Sequence, residues 1–493
     1  MNKLISILVL FLTLNGLSLR GENILTLGEA ICRSRTVSLD AAVALNELQT
    51  AYWQYRSYRA SLLPEITFKG TIPSYRKLYS TYMNEQGEYS FVSNHFMQLT
   101  GQVSVTQTIW PTGGTLGLTT SIDYLRQFSG DPYNRFMSIP VALTLTQPIF
   151  GVNQTRWDRK IEPAKYQEAK AAFLSASEDV AISAINKYFS LLMNRENLSI
   201  AIQNLENATQ LYNVAVEKRN MGQISKNDLL QMELNLLDAK SAVTDCESSV
   251  RASSFQLLTF LDMEDAENIV PEVPELLPNI EIPFNIAYEK ALSNNKFAHN
   301  QLRRQLEADY EVAIAKGKRL GINLYAQVGF TGSSHTFDGS YRNLKNNQMV
   351  EIGFEIPILD WGKRRGQVKV AESNREVTST LLRQEAQTFR QDLYVLVERY
   401  NNQRQQLEIA ARTDTISARR YATNVETYLT GRISTLDLND SRAQKDEARR
   451  TFINELYLFW LYYYQIRSLT LWDFSRNTSI DSDIDAIIHA AKK

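Results

Sequence analysis

The chain is poor in the residues that punctuate or cross-link a fold. Two cysteines in 493 residues, Cys32 and Cys246, exclude a disulfide scaffold and any multi-cysteine metal site. No sign of charge dominates. Lys and Arg number 53 against 54 Asp and Glu, a net charge of −1, which leaves no electrostatic footprint for a nucleic acid. After residue 20 no apolar run approaches the roughly 20 residues of a membrane helix. The four histidines (His95, His299, His335 and His489) lack metal-ligand spacing. There is no Gly-rich phosphate loop, and no motif sets a nucleophile beside a base. Neither a cofactor nor an enzymatic activity is therefore expected. With 44% hydrophobic and 22% charged residues, the chain is not a disordered one either.

Proline and glycine are informative by position. None of the 12 prolines lies between Pro163 and Pro271, and none follows Pro357. Gly222 is the only glycine from 164 to 270, and Gly431 the only one from 367 to the end. Stretches this long with one breaker each predict two helical hairpins. Each arm of about 60 residues would span about 90 Å. The remaining proline-rich segment, Glu264 to Pro283, reads as an extended linker.

The N-terminus begins Met1-Asn2-Lys3 and continues with the apolar run Leu4 to Leu12. This is the pattern of a secretory signal peptide, with cleavage expected between Ser18 and Glu22. The rest repeats itself: 431 − 222 = 209, and the same offset relates Pro148-Ile149 to Pro357-Ile358, Tyr212 to Tyr421, Ser225 to Ser434 and Asp228 to Asp437. Matches at Pro and Gly, which set backbone geometry, indicate an internal duplication. The expected division is a signal peptide at 1–21, then an upper helix (22–64), strands and loops (65–150) and a long helical hairpin (151–263). After the linker (264–283) come the second upper helix (284–320), strands (321–359) and hairpin (360–472), with a polar tail at 473–493.

Period-2 alternation predicts strands over Ile66 to Ile72, Met97 to Ile109, Thr115 to Tyr124, Ile139 to Ile149, Asn323 to Phe330 and Met349 to Ile358. Loops are expected at 73–96 and 331–347, and a tight turn at Pro111 to Gly114. Apolar residues alternate with Thr, Ser, Gln and Gly, as in a barrel with lipid outside and water inside. The other use of such a face is packing inside a soluble domain. Four to six strands cannot close alone, so a lipid-facing barrel must be shared among chains. Leu191, Leu198, Leu205 and Tyr212 recur every seven residues beside Asn194, Ala201, Ala208 and Ala215. The offset carries this coiled-coil seam to Tyr400, Leu407, Gln403 and Ala410. At the hairpin tips, Gly222 and Gly431 would supply the positive φ that ends a helix. Ser225 and Ser434 would cap the returning helix, with Asp228 and Asp437 three residues on.

With Leu62-Leu63-Pro64 before the first strand, Gln147-Pro148-Ile149-Phe150 and Pro357-Ile358-Leu359-Asp360-Trp361-Gly362 at the strand-to-helix passages, and the two Gly-x-x-Ser-x-x-Asp tips, nearly the whole mature chain resembles the TolC-like outer-membrane efflux ducts. The resemblance implies a mostly α chain with a membrane β part, a homotrimer whose outer-membrane β-barrel continues into a periplasmic α-helical barrel. It implies passive export of small molecules or proteins, and tips that dock a periplasmic adaptor (membrane fusion) protein beside a proton-driven or ABC inner-membrane pump. Asp437 and Asp440 match the family's inward aspartate pair, Tyr428 its gate tyrosine and Asp228 its first-half gate aspartate. Arg432 is one residue out of register with the family's arginine, which leaves its contact with Asp228 open. The same residues also suit a solvated, capping role. The first half carries one hairpin more than the family minimum, giving about 12 to 18 strands per trimer. A periplasmic coiled-coil scaffold without a barrel is the alternative.

Overall fold

The computed structural model describes residues 23–83, 87–263, 269–275, 280–318, 321–355, 358–429, 432–433 and 435–480. The expected signal peptide, parts of the linker, and the tail beyond 480 lie outside the described residues. The helices are α1 (Leu27–Val37), α2 (Leu39–Ser61), α3 (Gln154–Asn220), α4 (Lys226–Phe260), α5 (Phe284–Asn294), α6 (Lys296–Gly317), α7 (Lys363–Leu429) and α8 (Thr435–Thr470). The strands are β1 (Asn23–Leu25), β2 (Glu65–Met83), β3 (Tyr89–Ile109), β4 (Gly114–Gln127), β5 (Tyr133–Pro148), β6 (Ile269–Pro271), β7 (Gly321–Ser334), β8 (Lys345–Glu355), β9 (Trp472–Asp473) and β10 (Thr478–Ser479). Contacts group the chain into two compact units, one of Thr50–Glu168 with His299–Ala386, the other of the remainder.

The first unit carries one antiparallel sheet in the order β2-β3-β4-β5-β7-β8. The register explains the alternation. Ile66 faces Val105, Val105 faces Leu118, Leu118 faces Leu143, and Leu143 faces Val328. Leu324 and Ala326 in turn face Ile352 and Val350. One face is thus apolar from edge to edge, and exposed: Phe68 is 73% and Ile352 60% accessible. The opposite face carries small or polar residues such as Ser104, Ser121 and Ala142, which are buried. Pro73 lies at the register break between Thr71 and Ser74, and Pro140 at the break between Ser138 and Val141. Proline has no ladder N–H, so it is confined to such bulges and to edge strands.

Several expected boundaries need correction. The region 73–96 is not a loop: β2 and β3 run through it as paired strands up to Met83 and Tyr89. Its polar and aromatic composition misled because a strand that is solvated on both faces need not alternate. The 331–347 loop is shorter, since β7 reaches Ser334 and β8 begins at Lys345, with a 3₁₀ turn at Asp338–Tyr341. That turn is clamped by the Ser138 hydroxyl, which donates to the Ser340 carbonyl at 2.6 Å. The extra hairpin belongs to the same sheet as the other four strands. The upper helices are each broken, at Ser38 and Asn295. Both residues adopt extended backbone, and their side chains accept from Ala41 and Phe297 N–H, so each ends one helix and caps the next. The breaks are 257 residues apart (38 to 295), whereas α3 and α7, each 67 residues long, start 209 apart (154 to 363). The difference of 48 is taken up where the first half has β2–β3 and the second half has no counterpart.

The core of the other unit gathers Tyr188, Leu191, Leu393, Tyr400, Phe459 and Tyr463 with Leu257 and Ile453. The expected seam is buried in part: Leu191, Ala201, Ala215, Tyr400, Gln403, Leu407 and Ala410 are buried, whereas Asn194, Leu198, Leu205, Ala208 and Tyr212 are only half-buried. Tyr463 and Phe459, from the aromatic run 457–464, are core residues too. The linker contributes β6, which pairs in parallel with β1. Tyr188 donates to the carbonyls of Leu25 and Glu272, beside both strands. The hydroxyl of Tyr400 is buried with no partner among the described residues, and burial pushes its pKa up to about 12. These two tyrosines should therefore respond oppositely. Tyr188→Phe removes bonds and strands buried carbonyls, costing about 1–3 kcal/mol, while Tyr400→Phe removes an unsatisfied group and costs nothing or stabilises. Melting of the purified variants checks the contrast; equal losses would contradict it. The segment after Trp472 is not solvated throughout: β9 pairs with β10, and Asp473 is buried.

Candidate functional site

The first hairpin tip is built by local hydrogen bonding. Gly222 has φ +73, and the N–H groups of Gly222 and Gln223 donate to the carbonyls of Arg219 and Lys218. This is a Schellman closure, which only a residue free to take positive φ makes without strain. The Arg219 guanidinium donates to the Ile224 carbonyl across the turn. Ser225 then starts α4 with a reciprocal capping box. Asp228 N–H donates to the Ser225 hydroxyl at 3.1 Å, and the Asp228 carboxylate accepts from Ser225 N–H at 3.0 Å and from its hydroxyl at 2.7 Å. The hydroxyl and backbone bonds from Ser225 hold the Asp228 carboxyl below its usual range. A cap of this kind satisfies N–H donors that the first turn of a helix otherwise leaves unpaired. Beside the turn opens a groove of about 510 Å³, lined by Lys218, Ile224, Asp228, Met232, Asn439 and Arg442 among others.

The second tip places Tyr428 in the last turn of α7, and Arg432 exposed with its N–H donating to the Thr427 carbonyl. Asp437 lies exposed in the first turn of α8, where a negative charge suits the helix dipole. Asp440 follows one turn on, on the same helical face. Its carboxylate accepts from Gln444 at 2.9 Å and pairs with Arg420 of α7 at 3.3 Å. Gly431, Ser434 and Pro357 fall outside the described residues. Pro148 ends β5 opposite Asn323, where the sheet gives way to α3. Two participants escaped sequence reading. Arg420, on α7, and Arg442, which shares the groove with Asp228, lie in neither tip motif. Only helical spacing from Asp437 and Asp440 could have suggested Arg442.

Among the described residues no cluster could hold a metal ion, and no helix is long and apolar enough to cross a membrane. The comparisons with known proteins agree with the sheet and hairpins. Nodulation protein T of Rhizobium leguminosarum bv. viciae is 22% identical over 244 residues, 48% of this chain and 49% of that protein, so the chain spans about half the length of this relative. The Campylobacter jejuni CmeC outer membrane channel superposes with a TM-score of 0.66 at 18% identity, over 95% of this chain and 89% of that one. The outer membrane protein VceC of Vibrio cholerae superposes with a TM-score of 0.60 at 12% identity, over 90% and 96%. At these identities the superpositions establish the fold. The model of the outer membrane efflux proteins matches residues 28–261 and 287–458, and the chain therefore belongs to the outer membrane efflux protein family.

Proposed function

We propose that the chain is the outer-membrane duct of a tripartite export system, passing small molecules or proteins from the periplasm to the exterior. One observation carries this reading: the six-stranded sheet exposes a continuous apolar face while its other face is small and polar. A soluble domain would cover the first face, whereas a barrel wall turns it to lipid and the polar face to water. An open sheet edge cannot face lipid, so the wall is shared between copies of the chain, and the family points to a homotrimer. Helices α3 and α7, of 67 residues each, would reach about 100 Å into the periplasm. Exposed apolar residues along α7, such as Val377, Leu381 and Ile409, suit helix contacts between copies. The tips would meet a periplasmic adaptor and an inner-membrane pump of proton-driven or ABC type.

At those tips Asp437 and Asp440 would form acidic rings about the threefold axis, narrowing the lumen and favouring cations. Arg420 offsets part of the Asp440 charge. Tyr428, Asp228 and Arg432 would support the closed state. Reconstitution in planar bilayers tests both levels. The wild type should give channels with low resting conductance and cation preference. Asp437→Ala with Asp440→Ala should raise the resting conductance and weaken that preference; channels unchanged in both respects would remove the gate. A chain that fractionates as soluble and forms no channels would favour the coiled-coil scaffold.

A further inference from the structure

The sheet has two unpaired edges, β2 and β8. We propose that β2 of one chain pairs antiparallel with β8 of the next, so that the β2–β3 hairpin is part of the barrel wall and three copies close eighteen strands. The proposal rests on the shared-barrel reading above and identifies the seam.

Three observations point to it. First, β4 is not available to a neighbouring chain. It is paired with β3 along its whole length, from Gly114 opposite Ile109 to Gln127 opposite Phe96. Second, β2 has the amphipathic sense of the wall. Ile66 and Phe68 face Val105 and Val103 on the apolar side, while Thr67 faces Ser104 on the polar side with their hydroxyls 2.7 Å apart. A hairpin that merely decorated the barrel would have no reason to continue the lipid face to its edge. Third, the register closes. The residues level with Glu65 across the sheet are Thr106, Gly117, Thr144, Gln327 and Met349. Strand β8 continues six residues further, from Met349 to its end at Glu355. Bringing the start of β2 level with the end of the neighbouring β8 therefore staggers each chain by six residues for its six strands. A stagger equal to the strand number corresponds to a tilt of about 36°, as in an eight-stranded barrel of shear eight. Membrane barrels tilt by about 35–45°.

In that register Ile66 meets Phe354 and Phe68 meets Ile352 on the lipid side. On the lumen side the exposed Lys69 meets the exposed Glu351, a pair of opposite charge directly across the seam. Pro73, at its bulge, ends the pairing above. Barrel diameter grows with strand number, so this wall encloses a wider pore than the twelve strands of a two-strand-per-half arrangement would.

The test uses the full chain with Cys32→Ser and Cys246→Ser, adding Lys69→Cys with Glu351→Cys. Within one chain these positions lie on opposite edges of the sheet, five strand spacings (about 24 Å) apart across it and six residues apart along it, so a disulfide between them must join two chains. Oxidation in membranes should give covalent dimers and trimers on a denaturing gel. The pair Thr119→Cys with Glu351→Cys, which would bridge if β4 met β8, should not. A trimer by mass in which the first pair stays unlinked, or the second links, overturns the eighteen-strand seam and leaves the duct reading standing. A monodisperse monomer in detergent overturns the duct reading itself. As a second measure, Lys69→Glu should lower the temperature at which the trimer dissociates, and adding Glu351→Lys should restore it; a double variant no better than Lys69→Glu counts against the seam.

Discussion

Arg467→Met is expected to lower the stability of the folded chain by about 3–5 kcal/mol, the cost of leaving a buried charge without its partner. Glu178 is 1% exposed, and its carboxylate accepts from Arg35 at 2.5 Å and from Arg467 at 3.3 Å. A second approach, Arg467 Nε to Glu178 Oε2, is also 3.3 Å but is not aligned for a hydrogen bond. Arg467 also pairs with Asp473 at 3.1 Å and lies over the ring of Tyr464. Two cations thus balance two anions, tying α1, α3, α8 and β9 together. Without Arg467 the enclosed charge is negative. Burial, opposed by Arg35 and Arg467, already raises the pKa of Glu178. A carboxyl raised in the folded state contributes stability below its unfolded pKa and loses it as pH rises through the folded value. The deficit of the variant should therefore narrow on acidification from about pH 8 toward about pH 5. Asp473 does not oppose this in that window: burial pushes it up, but the hydrogen bonds from Ser475 and Tyr463 hold it below its usual value, so it stays ionised. Unfolding midpoints of purified protein across that range test the claim. A midpoint equal to the wild type at neutral pH would show that the pair is not needed.

The sequence announced the parts of this fold that rest on period and punctuation. Alternation at Leu116, Leu118, Leu143 and Leu145 located the strands because each has one apolar face. The lone Gly222 marked a helix end because the closing turn needs positive φ. What escaped notice has a different physical origin. The breaks at Ser38 and Asn295 depend on side chains that cap their own backbone, and such residues occur inside helices as well. The upper halves of β2 and β3 carry no alternation to detect. The ion network of Glu178, Arg35, Arg467 and Asp473 joins residues up to 438 positions apart, from 35 to 473, each of which reads alone as an ordinary charged residue. At the tips, the capping roles of Ser225 and Asp228 were legible because the motif is local. The pairing of Asp440 with Arg420 was not, because it crosses from one helix to the next.

Leu143→Arg and Thr146→Arg should separate the two faces of the sheet more sharply than any spectroscopic measure of secondary structure. Both positions are exposed, both lie on β5, and both are flanked on either side by paired strands. Leu143 stands among Leu118 and Val328 on the apolar face. Thr146 stands between Thr115 and Tyr325 on the other. If the apolar face meets lipid, an arginine at 143 costs about 2–4 kcal/mol near the bilayer midplane, enough to block assembly of a marginal barrel. An arginine at 146 would point into water and be accommodated, and its charge would reduce cation flow. The expected result is loss of folded protein from the outer membrane for Leu143→Arg, and normal abundance with altered conductance for Thr146→Arg. In a soluble scaffold the apolar face would meet water or protein instead. Equal, soluble accumulation of both variants would refute the membrane wall. Because both substitutions introduce the same side chain on the same strand, a difference between them can come only from what each face touches.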